Sequence, residues 1–299
     1  MLDNKNFFSE DVTRREFIKQ GILGLMGTGI ALSGLDMLFG KDVFAAFDAD
    51  PAEKIGRMYF RKLGKTGLKI SEIGMNGGIL KDPSVLSFAM DAGLNYIETG
   101  PEYSQGEAER TLGKVLKLRR EEIIVATKWK VFEEYRVKEL ETSLNDSLKR
   151  LNTDYIDIIQ VWGTRRKTQV NHEPIFEAFQ KLKEQGKVRH LGITVHMNVV
   201  ELCDEIIANG QYEQMTVAYH YDNHEEIDPV LIKAAQNDIG FVAQFIDSGM
   251  EKISGPHKGT SRGVLEWMLK NKYLTSAIDY MNTIAEVDEL LQVPRIIRQ

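Results

Sequence analysis

The sequence predicts an α/β protein whose body is a single (β/α)8 TIM barrel with an N-terminal β-hairpin. Three observations carry that expectation. Short apolar runs alternate with amphipathic helical patterns through eight units. A Lys65-Thr66-Gly67 turn flanked by short alternating pieces opens the series. No Gly-x-Gly-x-x-Gly follows an early strand, which argues against an open dinucleotide-binding sheet.

The chain has 299 residues, enough for a barrel of about 250 residues behind an N-terminal segment. Residues 1–45 form that segment and residues 46–299 the barrel. Arg14 and Arg15 precede a glycine-rich apolar stretch from Gly21 to Leu35, and Val43-Phe44-Ala45 offers small residues suited to cleavage. The run Thr13-Arg14-Arg15-Glu16-Phe17-Ile18-Lys19 resembles the twin-arginine export signal. That resemblance implies a bacterial protein that folds in the cytoplasm, engages the twin-arginine export machinery and acts in the periplasm or another extracytoplasmic place. An uncleaved signal would keep it associated with the membrane.

The elements follow in order. Phe60 to Gly78 holds the hairpin and then a strand running into a glycine-rich turn. Pro83 to Ala92 reads as a helix with Val85, Leu86, Phe88 and Ala89 apolar, and Asn95-Tyr96-Ile97 starts the next strand. Glu107 to Leu118 is helical, Ile123 to Ala126 a strand, and Tyr135 to Arg150 a helix carrying Val137, Leu140, Leu144 and Leu148 on one face. Tyr155 to Ile159 is a strand, and Pro174 opens a helix that Gly186 closes. The later pairs are Val188–Ile193 with Val199–Ala208, Met215–Ala218 with Pro229–Gln236, Phe241–Phe245 with a helix at Val264–Leu269, and Thr275–Ile278 with Ile284–Leu291.

Composition narrows the function classes. A net charge of -6 disfavours a nucleic-acid surface. The single cysteine, Cys203, excludes an internal disulfide and a multi-thiolate metal site. It lies on a predicted helix face and reads as a buried thiol. His220-Tyr221-Asp222-Asn223-His224 has ligand-type residues, but reads as polar loop lining a barrel mouth rather than as a metal site.

Barrel enzymes build their sites at the C-terminal ends of strands. Three predicted ends are rich in chemistry: Glu98 through Tyr103, Thr127-Lys128-Trp129, and Gln160-Val161-Trp162-Gly163. A buried ammonium beside a tyrosine favours the phenolate, and a carboxylate keeps that ammonium charged. Glu98, Lys128 and Tyr103 therefore suit proton transfer to a carbonyl oxygen. The same types also suit a structural ion pair with a packed tyrosine.

At these residues the chain resembles the aldo/keto reductases. Phe60 to Ser71 resembles their opening hairpin. Tyr96-Ile97-Glu98-Thr99 through Tyr103, with Gly106-Glu107 and Glu109-x-x-Leu112-Gly113, resembles their second-strand signature. Ile124 to Lys128, Ser147 to Asp157 and Gly186 to Thr194 resemble three further signatures in family order. The resemblance implies NADPH- or NADH-dependent reduction of a carbonyl, or oxidation of an alcohol, on a small-molecule substrate. It places the proton donor on Tyr103 and the lysine on Lys128. It places the family's aspartate on Glu98, one methylene longer, and its histidine at or beside Trp162. Indole nitrogen donates but does not accept, so Trp162 orients a carbonyl or shapes a pocket and shares no proton.

On the cofactor side, Thr194-Val195 stands where the family presents Ser-Asn, followed by His196. Asp279-Tyr280-Met281-Asn282 stands where it often has a glycine turn leading to cofactor phosphate. Thr194, His196, Gly249 and Lys252 are the candidate cofactor contacts. An alternative expectation is an exported barrel that kept the architecture and lost or changed the chemistry, serving as a binding or accessory protein.

Overall fold

A computed structural model describes residues 52–298 apart from Gly56 and Glu133; the expected export signal lies outside the described residues. Three antiparallel strands come first: β1 (Glu53–Ile55), β2 (Met58–Lys62) and β3 (Lys69–Ser71). The sequence predicts two of them as a hairpin; β1 adds itself to the outer edge of β2. The turn between β2 and β3 is made by Gly64–Thr66 with Gly67 in the left-handed region.

Eight parallel strands close the barrel: β4 (Ile73–Asn76), β5 (Tyr96–Glu98), β6 (Ile124–Lys130), β7 (Ile156–Thr164), β8 (Val188–Val195), β9 (Gln214–Ala218), β10 (Gly240–Gln244) and β11 (Ser276–Asp279). Each pairs with its sequence neighbours, and β11 pairs with β4. The helices are α1 (Pro83–Asp91), α2 (Glu107–Arg119), α3 (Val137–Leu151), α4 (Lys167–Val170), α5 (Glu173–Glu184), α6 (Val199–Asn209), α7 (His224–Gln236), α8 (Ser261–Met268), α9 (Ile284–Leu290) and α10 (Val293–Ile296).

Alternation along the strands creates two cores. Outward residues such as Ile97, Val125, Ile159, Ile193 and Val195 pack with the helices' apolar stripes in one large cluster. Inward residues Tyr96, Ala126, Ile158, Val242 and Ile278 form a second cluster with Leu63 and Ile70 of the hairpin. The hairpin thus plugs the N-terminal end. Its turn lies so close to β10 that a Cβ on Gly64, whose φ is +51°, would stand 2.3 Å from the Gly240 nitrogen.

Several family-signature residues prove to be clamps between layers. Glu109 of α2 is buried, accepts from the Thr127 hydroxyl at 2.6 Å and pairs with Arg150 of α3 at 2.6 Å. Asp157 accepts from the Val125 amide at 3.0 Å and pairs with Arg120 and Arg189 at 2.6 and 2.9 Å.

Two expectations change. Strands β6 and β7 run past their apolar stretches, because backbone pairing continues through Lys128↔Gln160 and Lys130↔Trp162. Helix α7 begins at His224, so Pro229 sits inside it rather than at its first turn. Pro229 is exposed, and water can serve the carbonyl that its missing N–H leaves without a donor.

Candidate active site

Above the apolar plug the barrel interior turns polar. Glu98, the last residue of β5, is fully buried, and its carboxylate reaches inward rather than up into the loops. Its Oε1 accepts from the Tyr96 hydroxyl at 2.7 Å, from Gln160 Nε2 at 2.9 Å and from the Thr216 hydroxyl. Those partners come from β5, β7 and β9, so one carboxylate ties together a layer built from alternate strands. Gln214 Nε2 donates to Thr216 Oγ1 at 2.6 Å, and Gln160 Nε2 lies 3.1 Å from Gln214 Oε1. The space for these amides comes from Gly192, where a Cβ would stand 2.2 Å from Gln214 Oε1. Burial, then the Glu98 charge, raises the Tyr96 phenol well above its ordinary value, so it stays protonated and donates.

Lys128 faces the same interior from β6. Its ammonium lies 3.3 Å from Glu98 Oε2 and donates to the Thr99 carbonyl at 2.9 Å. Burial pulls its pKa down, but the Glu98 carboxylate and the Tyr103 phenol outweigh this and leave it raised. Lys128 is therefore a fixed positive charge at neutral pH. Its nitrogen sits 5.2 Å from the centre of the Tyr103 ring.

Tyr103 is half-buried at the start of a short turn. Its ring packs against the Gly78 backbone, where a Cβ would stand 3.3 Å from it. The next three residues, Ser104, Gln105 and Gly106, all have positive φ, at 48°, 55° and 84°. Two non-glycine residues in succession in that region are costly, and such strain gathers at functional sites.

Gly100, Pro101, Glu102, Tyr103, Lys128, Lys130 and Trp162 line a cleft of about 200 Å³. Trp162 is half-buried, and the Lys130 ammonium lies 5.8 Å from its ring. Tyr280, just past β11, is 37% exposed; burial and the Tyr103 phenol raise its pKa, with the Lys128 charge opposing.

The other arc of the mouth holds the remaining candidates. Thr194 is buried, its hydroxyl 3.4 Å from Gln160 Oε1. His196 follows β8, its ring edge-on to Phe245 with centres 4.8 Å apart. Buried polar atoms without partners stand at four adjacent strand ends: His196 Nε2 after β8, His220 Nδ1 after β9, Gln244 Nε2 on β10 and Asp279 Oδ2 on β11. Buried polar atoms nearly always have partners, so this arc has the character of a ligand-binding strip. Burial, then the charge of Asp247, pushes the Asp279 carboxyl up to about 6.

Glu98, Tyr103, Lys128 and Trp162 thus converge as expected from the sequence, and Thr194 and His196 face the same mouth. Gly249 and Lys252 stand elsewhere on the rim, turned to the loop after β9. The Lys252 ammonium pairs with Asp222 at 2.6 Å, and a Cβ on Gly249 would stand 2.5 Å from Asp222 Oδ1. Within the histidine-rich tract His224 is occupied with packing: its Nδ1 bonds the Tyr221 carbonyl and its ring meets Trp267 edge-on. Burial raises the Cys203 thiol's pKa, keeping it protonated. Sequence reading gave Tyr96, Gln214 and Thr216 no part in the site, and named Gln160 and Tyr280 only within strand-end runs, without a role. A signal for three of them existed: Gln160, Gln214 and Thr216 interrupt otherwise apolar strands at inward positions.

Comparison with known proteins bears on the family and the fold. The chain is 36% identical over 160 residues to the uncharacterized oxidoreductase YqkF of Bacillus subtilis, covering 47% of this chain and 50% of that protein. It is 26% identical over 278 residues to L-galactose dehydrogenase of Arabidopsis thaliana, covering 78% of this chain and 87% of that protein. The fold matches an aldo-keto reductase from Klebsiella pneumoniae solved in complex with NADPH, with a TM-score of 0.63, 20% identity, and coverage of 78% of this chain and 88% of that one. Residues 83–249 match the model of the aldo/keto reductase family, the match ending as the divergent loop after β10 begins, and the chain belongs to that family.

Proposed function

We propose that this protein is a nicotinamide-dependent oxidoreductase that reduces a carbonyl, or oxidises the corresponding alcohol, with Tyr103 as proton donor. The observation that carries the reading is the buried Lys128 ammonium, held by Glu98 and set beneath the Tyr103 ring in a cleft open to solvent.

The unpartnered atoms of His220 and Gln244 suit the uncharged polar groups of such a cofactor, its carboxamide and sugar hydroxyls. Asp279 beside Asp247 suits a hydroxyl donor and repels a phosphate. Thr194 and Gln244 would hold the cofactor's nicotinamide end. When bound, the cofactor supplies or accepts hydride. The protein's own part is the proton. The Tyr103 phenol, with the Lys128 ammonium 5.2 Å from its ring centre, gives its proton to a substrate oxygen lying in the cleft. Glu98 keeps Lys128 charged and fixed in place. Trp162 forms one wall and orients the carbonyl by shape.

Titration of the purified protein with NADH and NADPH, followed by quenching of its fluorescence, tests the reading. Binding of either below millimolar concentration is expected. Absence of binding at millimolar concentrations sinks it and favours a barrel that serves as a binding protein, to which Trp162 and the Asp247–Asp279 pair would then belong.

The site of action is proposed from the Arg14-Arg15 run. The protein is exported folded, through the twin-arginine machinery, to the periplasm. Replacing both arginines by lysine should leave the protein in the cytoplasm with Met1 intact. The double variant still reaching the periplasm would refute that route. A native exported form that retains its N-terminus would assign it to the membrane surface.

A further inference from the structure

Trp162 leaves the site short of one group. The end of β7 provides an indole, which has a single N–H donor on a bulky ring and no lone pair at nitrogen to relay a proton. Its ring already has the Lys130 ammonium beside it, 5.8 Å away. A second donor for the substrate oxygen can come from another strand.

The alternation of β8 supplies one. Gly192 faces the axis, since a Cβ there would meet the Gln214 and Gln160 side chains. Thr194 faces the axis beside Gln160, while Val195 packs outward in the helix-facing core. The next inward position is His196. Its ring is set edge-on against Phe245, whose backbone has a φ of +53°. Its Nε2 is buried and makes no hydrogen bond of ordinary length, and Gln244 Nε2, from two strands along, is in the same state, although the Gln244 amide lies close enough to act on the imidazole. Two such nitrogens at the same mouth are positioned for a polar atom that the protein itself does not provide.

We propose that His196, on β8, orients the carbonyl by a hydrogen bond, with its Nε2 directed to the substrate oxygen, while Trp162 on β7 shapes the pocket wall. The proposal rests on the reductase reading. The electrostatics agree with it. Burial, then the Lys128 charge, holds the His196 pKa below its ordinary value, with Gln244 and Glu98 opposing. The imidazole is therefore neutral at pH 7, with one nitrogen donating and the other accepting. An uncharged donor within the field of Lys128 can bind a carbonyl oxygen without taking the proton that Tyr103 must deliver.

The test uses 4-nitrobenzaldehyde with saturating cofactor. His196→Phe keeps the contact with Phe245 and removes both nitrogens. It should lower kcat/KM by roughly 10²-fold while leaving the cofactor Kd unchanged. Adding Trp162→His to that variant should recover most of the loss, which a merely structural role would not allow. A His196→Phe protein with kcat/KM close to wild type, or a double variant no better than the single one, overturns the proposal. A wild-type protein that binds no cofactor and turns nothing over overturns the reductase reading instead. The imidazole is then read directly by 15N-histidine spectra with benzamide, an unreduced carbonyl probe. A shift of the His196 Nε2 resonance on adding benzamide supports the assignment, and an unmoved one overturns it.

Discussion

Replacing Tyr103 by Phe should lower kcat by about 10²- to 10⁴-fold. The ring would still pack against Gly78 and above Lys128, so the fold and the cleft walls survive. Only the transferred proton is lost. Cofactor affinity should therefore stay within about twofold of wild type. Steady-state rates on 4-nitrobenzaldehyde, paired with fluorescence titration, separate the two effects. A variant that retains a tenth or more of the activity would mean that another group supplies the proton. Tyr280 is the first suspect, because its phenol feels both Tyr103 and Lys128.

Glu98→Ala should be the most destabilising change in the barrel interior. It leaves the Lys128 ammonium, 3% exposed, without its counter-charge. It also takes the acceptor from Tyr96, Gln160 and Thr216. Removing one partner of a buried ion pair costs about 3–5 kcal/mol, which for a domain of this size lowers Tm by on the order of 10 °C. Thermal unfolding followed by circular dichroism measures it; a loss under about 1 kcal/mol would show that water or a shifted Lys128 restores the balance. The pH dependence has a definite sign. Lys128 titrates in the folded protein above its ordinary 10.5. The pair's contribution is thus fully present below that value and fades as pH rises through the folded pKa. In Glu98→Gln that contribution should be absent across the neutral range, while the packing volume is kept.

The candidate site was legible in the sequence to different depths. Tyr103, Lys128 and Glu98 could be named because each stands at or just beyond the end of a strand, and the ends of barrel strands meet at one mouth. The role of Glu98 could not be read in full. One extra methylene was visible, but its direction was not. In the structure it carries the carboxylate into the axis, across to Thr216 of β9, where Gly192 leaves room. The partnership of Glu98 with Gln160 and Thr216 joins residues 62 and 118 positions apart, a distance over which periodicity carries no information. Lys252 shows the converse. Its charge and its glycine-rich loop suggested a phosphate contact, but Asp222 from the neighbouring loop claims it.

By itself the sequence determined the alternation of strands and helices, the closing hairpin and the strand ends that carry chemistry. These follow from local patterning: period-two runs for strands, a three-to-four repeat for helices, and glycine where φ turns positive. Tertiary structure alone decided which polar residues share the interior, which of them lack partners, and which histidine faces the mouth. Those outcomes depend on barrel closure, because β4 must meet β11 before β5, β7 and β9 can face one another across the axis.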